Sequence, residues 1–201
     1  MEGRVSGWGS HAPRVPILRR GAPMPGARTA RACAIRPVPA YFETMETTWR
    51  GLSGRSVPDL IGTLREWQRK SSGQLHLGTD SKNRGTRTHF VTALAVLSNG
   101  RGGQVIYRSL VMPRMHSLAQ RLIHEATLSV ELATELYQAL DLDIVIHIDA
   151  NEDLRHRSAK YARSLAGMGL GSGFEVRLKP DAWCASHVAD HVVKEKHVRA
   201  A

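Results

Sequence analysis

The sequence predicts a mixed α/β domain: a five-stranded sheet flanked by helices, in the order β-β-β-α-β-α-β-α after a leading helix. Three observations predict it. The segments QLHLGTD (74–80), HFVTALAVLS (89–98) and QVIYRSLVM (104–112) follow one another closely and read as strands. The stretch from Leu118 to Leu140 carries no Gly or Pro and repeats apolar residues at helical spacing. Beyond it, DIVIHID (143–149) and FEVRLK (174–179) alternate with helical patterns over 153–168 and from Asp181 to about His197. Strands linked by short turns pair antiparallel, whereas strands joined through helices pair parallel, so the sheet is expected to change character midway.

The local signals agree in order. Ser56-Val57-Pro58-Asp59 reads as a helix start, and Leu60, Ile61, Leu64 and Trp67 continue at helical spacing to about Lys70. Ser71-Ser72-Gly73 ends that helix, and Ser81 to Thr88 reads as a polar turn between the first two strands. Asn99-Gly100-Arg101-Gly102-Gly103 supplies residues that accept the positive φ of a tight hairpin. Gly167 to Gly173 (GMGLGSG) runs from helix to strand, the opposite direction from a phosphate-binding loop, and is expected to be a flexible connector.

Length and composition suit one domain, residues 41–201, with an appendage, residues 1–40. The appendage is rich in Gly, Pro, Ala and Arg and is expected to be a disordered basic arm or a misannotated leader, with Met24 and Met45 as alternative starts. Its Arg-rich, acid-poor composition is also that of an organelle transit peptide. Seven arginines and one glutamate give this arm +6 of the net +10, so residues 41–201 carry +10 − 6 = +4. The charge therefore supports phosphate-backbone affinity in the arm more than in the domain. No apolar run approaches the roughly 20 residues of a membrane-spanning helix, so a soluble, cytoplasmic protein is expected. Cys33 and Cys184 lie in no metal or disulfide spacing.

Four acids stand out. At about 100° per residue, Glu125 falls about 20° from Leu118, inside the apolar stripe that includes Leu122, Ser129, Leu132 and Leu136. Glu131 and Glu135 fall about 100–140° away, on the face that meets water. Asp181 opens the apolar face of the last helix, where it would also serve as an N-cap; Asp190 falls on the opposite side. Asp80 and Asp149 end their strands, where each would also serve as a turn residue. Taken together, two strand-end aspartates and an inward glutamate gather carboxylates at the carboxyl edge of the sheet, where open α/β folds place ligands. Close carboxylates repel unless a cation neutralises them, and an all-oxygen set suits Mg²⁺ or Mn²⁺ better than zinc. Two such ions can activate water and stabilise the leaving oxygen of a phosphoryl displacement. Lys82 and Lys179, beside these acids, are candidates to meet a phosphate oxygen. His116, His124 and His187 are candidate proton shuttles, although His124 and His187 point off the acidic faces.

The segments GTDS (78–81), HEATLSVELA (124–133), HIDAN (147–151) and KPDAWCASHVAD (179–190) resemble the YkuK-type family of ribonuclease H-like proteins, over about residues 41–194. The last segment also looks like the end of Holliday-junction resolvases. The resemblance implies the ribonuclease H-like fold and a two-metal nuclease with Asp80, Glu125, Asp149 and Asp181 as ligands, Asp190 remaining an alternative for the fourth. Its expected partner is nucleic acid: RNA, an RNA/DNA hybrid or structured DNA. The second hypothesis is a non-catalytic nucleic-acid-binding or assembly module of the same fold, and the third a metal-dependent phosphotransfer on a small substrate.

Overall fold

The computed structural model describes residues 48–70, 73–97, 103–184 and 186–188. The expected arm, residues 1–40, and Asp190 lie outside them. Two short strands, β1 (Trp49–Gly51) and β2 (Ser56–Val57), come first, then helix α1 (Leu60–Lys70). Ser56 and Val57 were expected to start the helix; they pair with Arg50 and Trp49 instead, and Asp59 is the capping residue, accepting from the Gly62 N–H at 2.8 Å.

Strands β3 (Leu75–Arg84), β4 (Arg87–Leu97) and β5 (Gly103–Pro113) form an antiparallel meander. The stretch Ser81–Arg84, expected to be a turn, continues β3, and the chain reverses only at Gly85, whose φ of 52° favours glycine. Helix α2 (Leu118–Leu140) crosses to strand β6 (Ile144–Asn151), and helix α3 (Ala159–Gly171) crosses to β7 (Glu175–Lys179). Both crossovers return the chain parallel, β6 against β3 and β7 against β6. Among the described residues the sheet has seven strands in the order β2-β1-β5-β4-β3-β6-β7: the five expected, with β1 and β2 added at the antiparallel edge.

Alternation along β3 and β6 sorts the core onto two faces. Leu75, Leu77, Ile144, Ile146 and Ile148 join Leu122, Leu132 and Leu136 of α2 in one buried cluster. Val91, Ala93, Ala95 and Tyr107 pack with Cys184 and Val188 of the terminal segment on the other face. Among the described residues no helix is long and apolar enough to cross a membrane.

The glycine run corrects a further expectation. Helix α3 extends through Gly171, so Gly167 and Gly169 are helical rather than connecting. Gly169 faces β7, and a Cβ there would stand 2.5 Å from Val176 Cγ2, whereas Gly167 faces open space. The turn comes after the helix, at Gly173, with φ 88°. Gly169→Ala is therefore expected to destabilise the domain by about 1–3 kcal/mol through overpacking. Gly167→Ala should stabilise it by about 0.5–1 kcal/mol by restricting the unfolded chain. Urea unfolding of the two variants checks the pair, and equal signs would refute the packing assignment.

Candidate active site

The register of β3 against β6 builds the site. Thr79 pairs with Ile148, so Asp80 and Asp149 are the next residues on adjacent parallel strands. Strand alternation puts both on the face opposite the α2 core, in phase with His76 and His147. Asp181 follows the end of β7, the strand beside β6, so topology brings Asp80, Asp149 and Asp181 to one end of the sheet.

Glu125 reaches that end from α2. It is 5% exposed, while Glu131 and Glu135 are exposed, as the helical phase requires. A row of hydroxyls fixes the helix over the strands. Ser129 Oγ lies 2.9 Å from both Thr79 Oγ1 and the Glu125 carbonyl oxygen, and Thr79 Oγ1 lies 3.0 Å from Thr92 Oγ1. The Ser81 hydroxyl donates to Glu125 Oε1 at 2.5 Å, and its N–H donates to Asp80 Oδ1 at 2.7 Å. One serine thus bridges two of the acids. Arg121, one turn before Glu125, donates to the Ser81 carbonyl and hydroxyl oxygens at 3.0 and 3.1 Å.

The electrostatics follow from this crowding. Burial, then the neighbouring charge of Asp80, push the Glu125 carboxyl up to about 8; Asp149 adds to this, and Ser81 and Arg121 oppose it. At neutral pH Glu125 holds a proton. Asp149 Oδ1 is buried and forms an ion pair with Lys179 Nζ. Asp80 and Asp149 therefore both bear on the titration of Glu125. Asp181 is exposed in the turn closed by its own N–H and that of Ala182 on the Leu178 carbonyl. It lines a groove of about 830 Å³ together with Glu152, Arg177, Lys179 and Trp183.

The terminal helix was expected to begin at Asp181. The helical backbone begins at Cys184, so the rotation that placed Asp181 on the helix's apolar face does not apply.

As the side chains stand, no three His, Cys, Asp or Glu groups among the described residues close around one point. The donor chemistry nevertheless fits a hard divalent cation: three neighbouring carboxyl groups, one of them held protonated first by its burial and then by the charge of Asp80. Gathering them on an ion requires Glu125 to lose its proton and Asp149 to part from Lys179.

Ser81, Arg121, His76 and His147 did not emerge from the sequence as site residues. Ser81 was assigned to a turn; Arg121 shares the helical stripe of Glu125 one turn earlier, a signal that was readable. Of the histidines weighed, His124 packs edge-on against Phe90 at 5.0 Å between ring centroids, and His187 is exposed with Nδ1 3.1 Å from the Trp183 carbonyl oxygen. Burial pushes the Cys184 thiol up to about 12, which leaves it unreactive.

The fold belongs to a recognisable class. The chain belongs to the Ribonuclease H-like family, whose model matches residues 57–194. Among named proteins it is similar to the Uncharacterized protein YkuK of Bacillus subtilis (strain 168). The two are 25% identical over 156 residues, which span 68% of this chain and 90% of that protein. The resemblance to the YkuK type read from the motifs is thereby met. A solved structure, RNase H1 from the halophilic archaeon Halobacterium salinarum NRC-1, aligns at 19% identity and TM-score 0.36, covering 61% of this chain and 99% of that one.

The titrations oppose one another. Glu125 is raised, so the folded state holds a proton that the unfolded chain releases near 4.5; its contribution is intact below that pH and is lost as pH rises through about 8. His147 is held down to about 3 by burial and by His76, so its contribution is present above about 6.5 and is lost as pH falls toward 3. In EDTA, thermal stability should peak between about pH 4.5 and 6.5 and decline on both sides. Glu125→Gln should flatten the alkaline decline and raise the melting temperature at pH 8 by about 2–5 °C. A steeper alkaline decline in the variant would contradict the buried, protonated glutamate.

Proposed function

We propose that this chain is a divalent-metal-dependent nuclease that hydrolyses phosphodiester bonds of RNA or structured DNA. The observation that carries the reading is the burial of Glu125 beside Asp80 and Asp149 at the carboxyl end of parallel strands in a ribonuclease H-like chain. Burying a carboxylate beside two others is unfavourable unless a proton or a cation neutralises it, so stability alone does not account for the arrangement.

Asp80 and Asp149, on neighbouring strands, would offer oxygens to a shared pair of Mg²⁺ or Mn²⁺ ions. Glu125 would complete one position after giving up its proton, and Asp181 the other, from the turn at the open side of the site. When bound, such ions supply charge neutralisation and an activated water for in-line attack on phosphorus. The chain's own residues set the geometry around them. Ser81 and Arg121 orient Glu125, and the hydroxyl contacts of Ser129 and Thr79 keep α2 at a fixed height over β3. Lys179 pairs with Asp149; were a cation to take its place there, its ammonium would be available to a phosphate oxygen.

A second reading has its own support. Lys179 already answers Asp149, and a proton already answers Glu125, so the fold closes without a cation. That arrangement equally serves a nucleic-acid-binding module with no turnover.

One comparison separates the two. Purified wild type and Asp80→Asn are tested with Mg²⁺, Mn²⁺ or EDTA on labelled RNA, RNA/DNA hybrid and branched DNA. The nuclease reading expects metal-dependent cleavage by the wild type that falls at least about 100-fold in the variant, with circular dichroism unchanged. Equal cleavage by both proteins would trace the activity to a contaminant; tight binding without cleavage would leave the binding module.

A further inference from the structure

From Ser81 to His124 the chain contains no Asp or Glu, but it contains Lys82, Arg84, Arg87, Arg101, Arg108, Arg114 and Arg121. The acids that bound this stretch are Asp80 and Glu125, two of the site carboxylates. In the fold, part of the stretch becomes a surface with a defined direction. Lys82 and Arg84 follow Asp80 at two-residue intervals along β3, so alternation puts them on the face that Asp80 occupies. Across the hairpin, Lys82 pairs with His89 and Arg84 with Arg87, and paired residues share a face. A strip of Lys82, Arg84, Arg87 and His89 therefore leads outward from Asp80 along the free end of the β3–β4 hairpin.

The hairpin end is also held rigid. Asn83 Nδ2 donates to the Met115 carbonyl at 2.8 Å, the Thr88 hydroxyl donates to Asn83 Oδ1 at 2.7 Å, and the Met115 N–H donates to Thr88 Oγ1 at 2.8 Å. Arg114 fastens the tip, its N–H donating to the Thr86 carbonyl and its Nη1 to the Gly85 carbonyl. These contacts use the opposite face of β3, that of Ser81 and Asn83, and leave the strip on its own side. Such fastening is what a binding surface needs if little ordering is to accompany docking.

We propose that this strip is the track along which a nucleic-acid backbone enters the site, its phosphates lying on Lys82, Arg84 and Arg87 while the scissile one lies at Asp80. The assignment rests on the nuclease reading for the position of the scissile bond but not for binding itself. At about 3.3 Å per residue, Lys82 and Arg84 stand about 7 and 13 Å from Asp80, roughly two and four nucleotide steps of about 3.4 Å. Recognition is by charge and is independent of sequence, because the strip carries no Phe, Tyr or Trp on which bases could stack. A lipid surface fits less well. Among the described residues, none of the exposed large hydrophobic side chains (Leu52, Leu97, Ile123, Tyr137, Leu154 and Leu170) lies on the strip.

The test is binding by the full chain in EDTA, where no metal-dependent cleavage intervenes. Fluorescence anisotropy of labelled RNA and DNA oligonucleotides is followed from 50 to 200 mM salt for three proteins: wild type, Lys82→Gln/Arg84→Gln/Arg87→Gln, and a control with the same charge loss around α3, Arg157→Gln/Lys160→Gln/Arg163→Gln. The strip variant should bind at least about 10-fold more weakly at 100 mM salt, and its log K against log salt should flatten by about 2–3. The control should stay within about 2-fold of wild type. If the triple strip variant fails to fold by circular dichroism, Lys82→Gln/Arg87→Gln replaces it, with about two-thirds of the slope change expected. Equal weakening in strip variant and control, or wild-type binding by the strip variant, would overturn the proposal. So would a strip variant that loses affinity for phosphatidylserine vesicles alone. Absence of cleavage in the metal-supplemented assay would overturn the nuclease reading and leave this result standing.

Discussion

The pairing of β3 with β6 is the constraint on which the rest depends. Antiparallel pairing joins β3 to β4 and β5 through short connections, and none of those strands brings an acid to the level of Asp80. Only the parallel return through α2 sets Asp149 beside Asp80, and the register Thr79 to Ile148 decides it to the residue. A slip of one residue would turn His147 and Asp149 into the α2 core and Ile146 and Ile148 out of it. The same apolar alternation that makes β6 a central strand therefore also fixes the site. The placement of these acids is a by-product of register, and register is enforced by burial.

Helix α2 enters the site by the same logic. Its buried stripe includes Leu122, Ala126, Leu132 and Leu136, and Glu125 sits within that stripe. The helix packs on the core by hydrophobic burial and carries one carboxylate inward with it. The resulting unfavourable burial is met locally by Ser81, Arg121 and a proton, and Asp149 is met by Lys179. Each of these partners can be exchanged: a proton leaves, a hydroxyl rotates, an ammonium swings on a flexible stem. A cluster satisfied by exchangeable partners keeps its fold with no ion bound and is less rigidly committed than one neutralised by buried ion pairs.

Much of this was legible in the sequence, and the failures have physical causes. The stripe of α2 and the inward Glu125 could be read because a 23-residue helix repeats its phase many times. The strands β3 to β7 could be read from apolar alternation, but only as far as the core extends. Ser81–Arg84 continues β3 past the core, where no burial demands apolar residues, so it looked like a turn. β1 and β2, of three and two residues, are too short to show a period. Gly169 reads as a loop residue because propensity disfavours glycine in helices; Val176 lies too close to allow any larger residue there, a contact that no local pattern reveals. The helical phase of Asp181 holds only on a helix that includes it, and the helical backbone begins three residues later.

A pair of buried histidines ties down the chain just beyond Asp181. The Trp183 N–H donates to His147 Nδ1 at 3.2 Å, and His147 Nε2 lies 3.0 Å from His76 Nδ1. A neutral imidazole has one proton, and Nδ1 is accepting, so the proton of His147 sits on Nε2 and is donated to His76. Burial holds both rings below the usual histidine range, and the Trp183 ring packs against them at 5.0 and 5.2 Å between centroids. His147 lies two residues before Asp149, and Trp183 two residues after Asp181. This hydrogen bond ties the segment after the turn to β6, adding to the β6–β7 pairing and the turn on the Leu178 carbonyl that already place Asp181. The histidines do no chemistry in this arrangement: their neutrality keeps Nδ1 free to accept, and that acceptance helps to hold Asp181 at the same end of the sheet as Asp80 and Asp149.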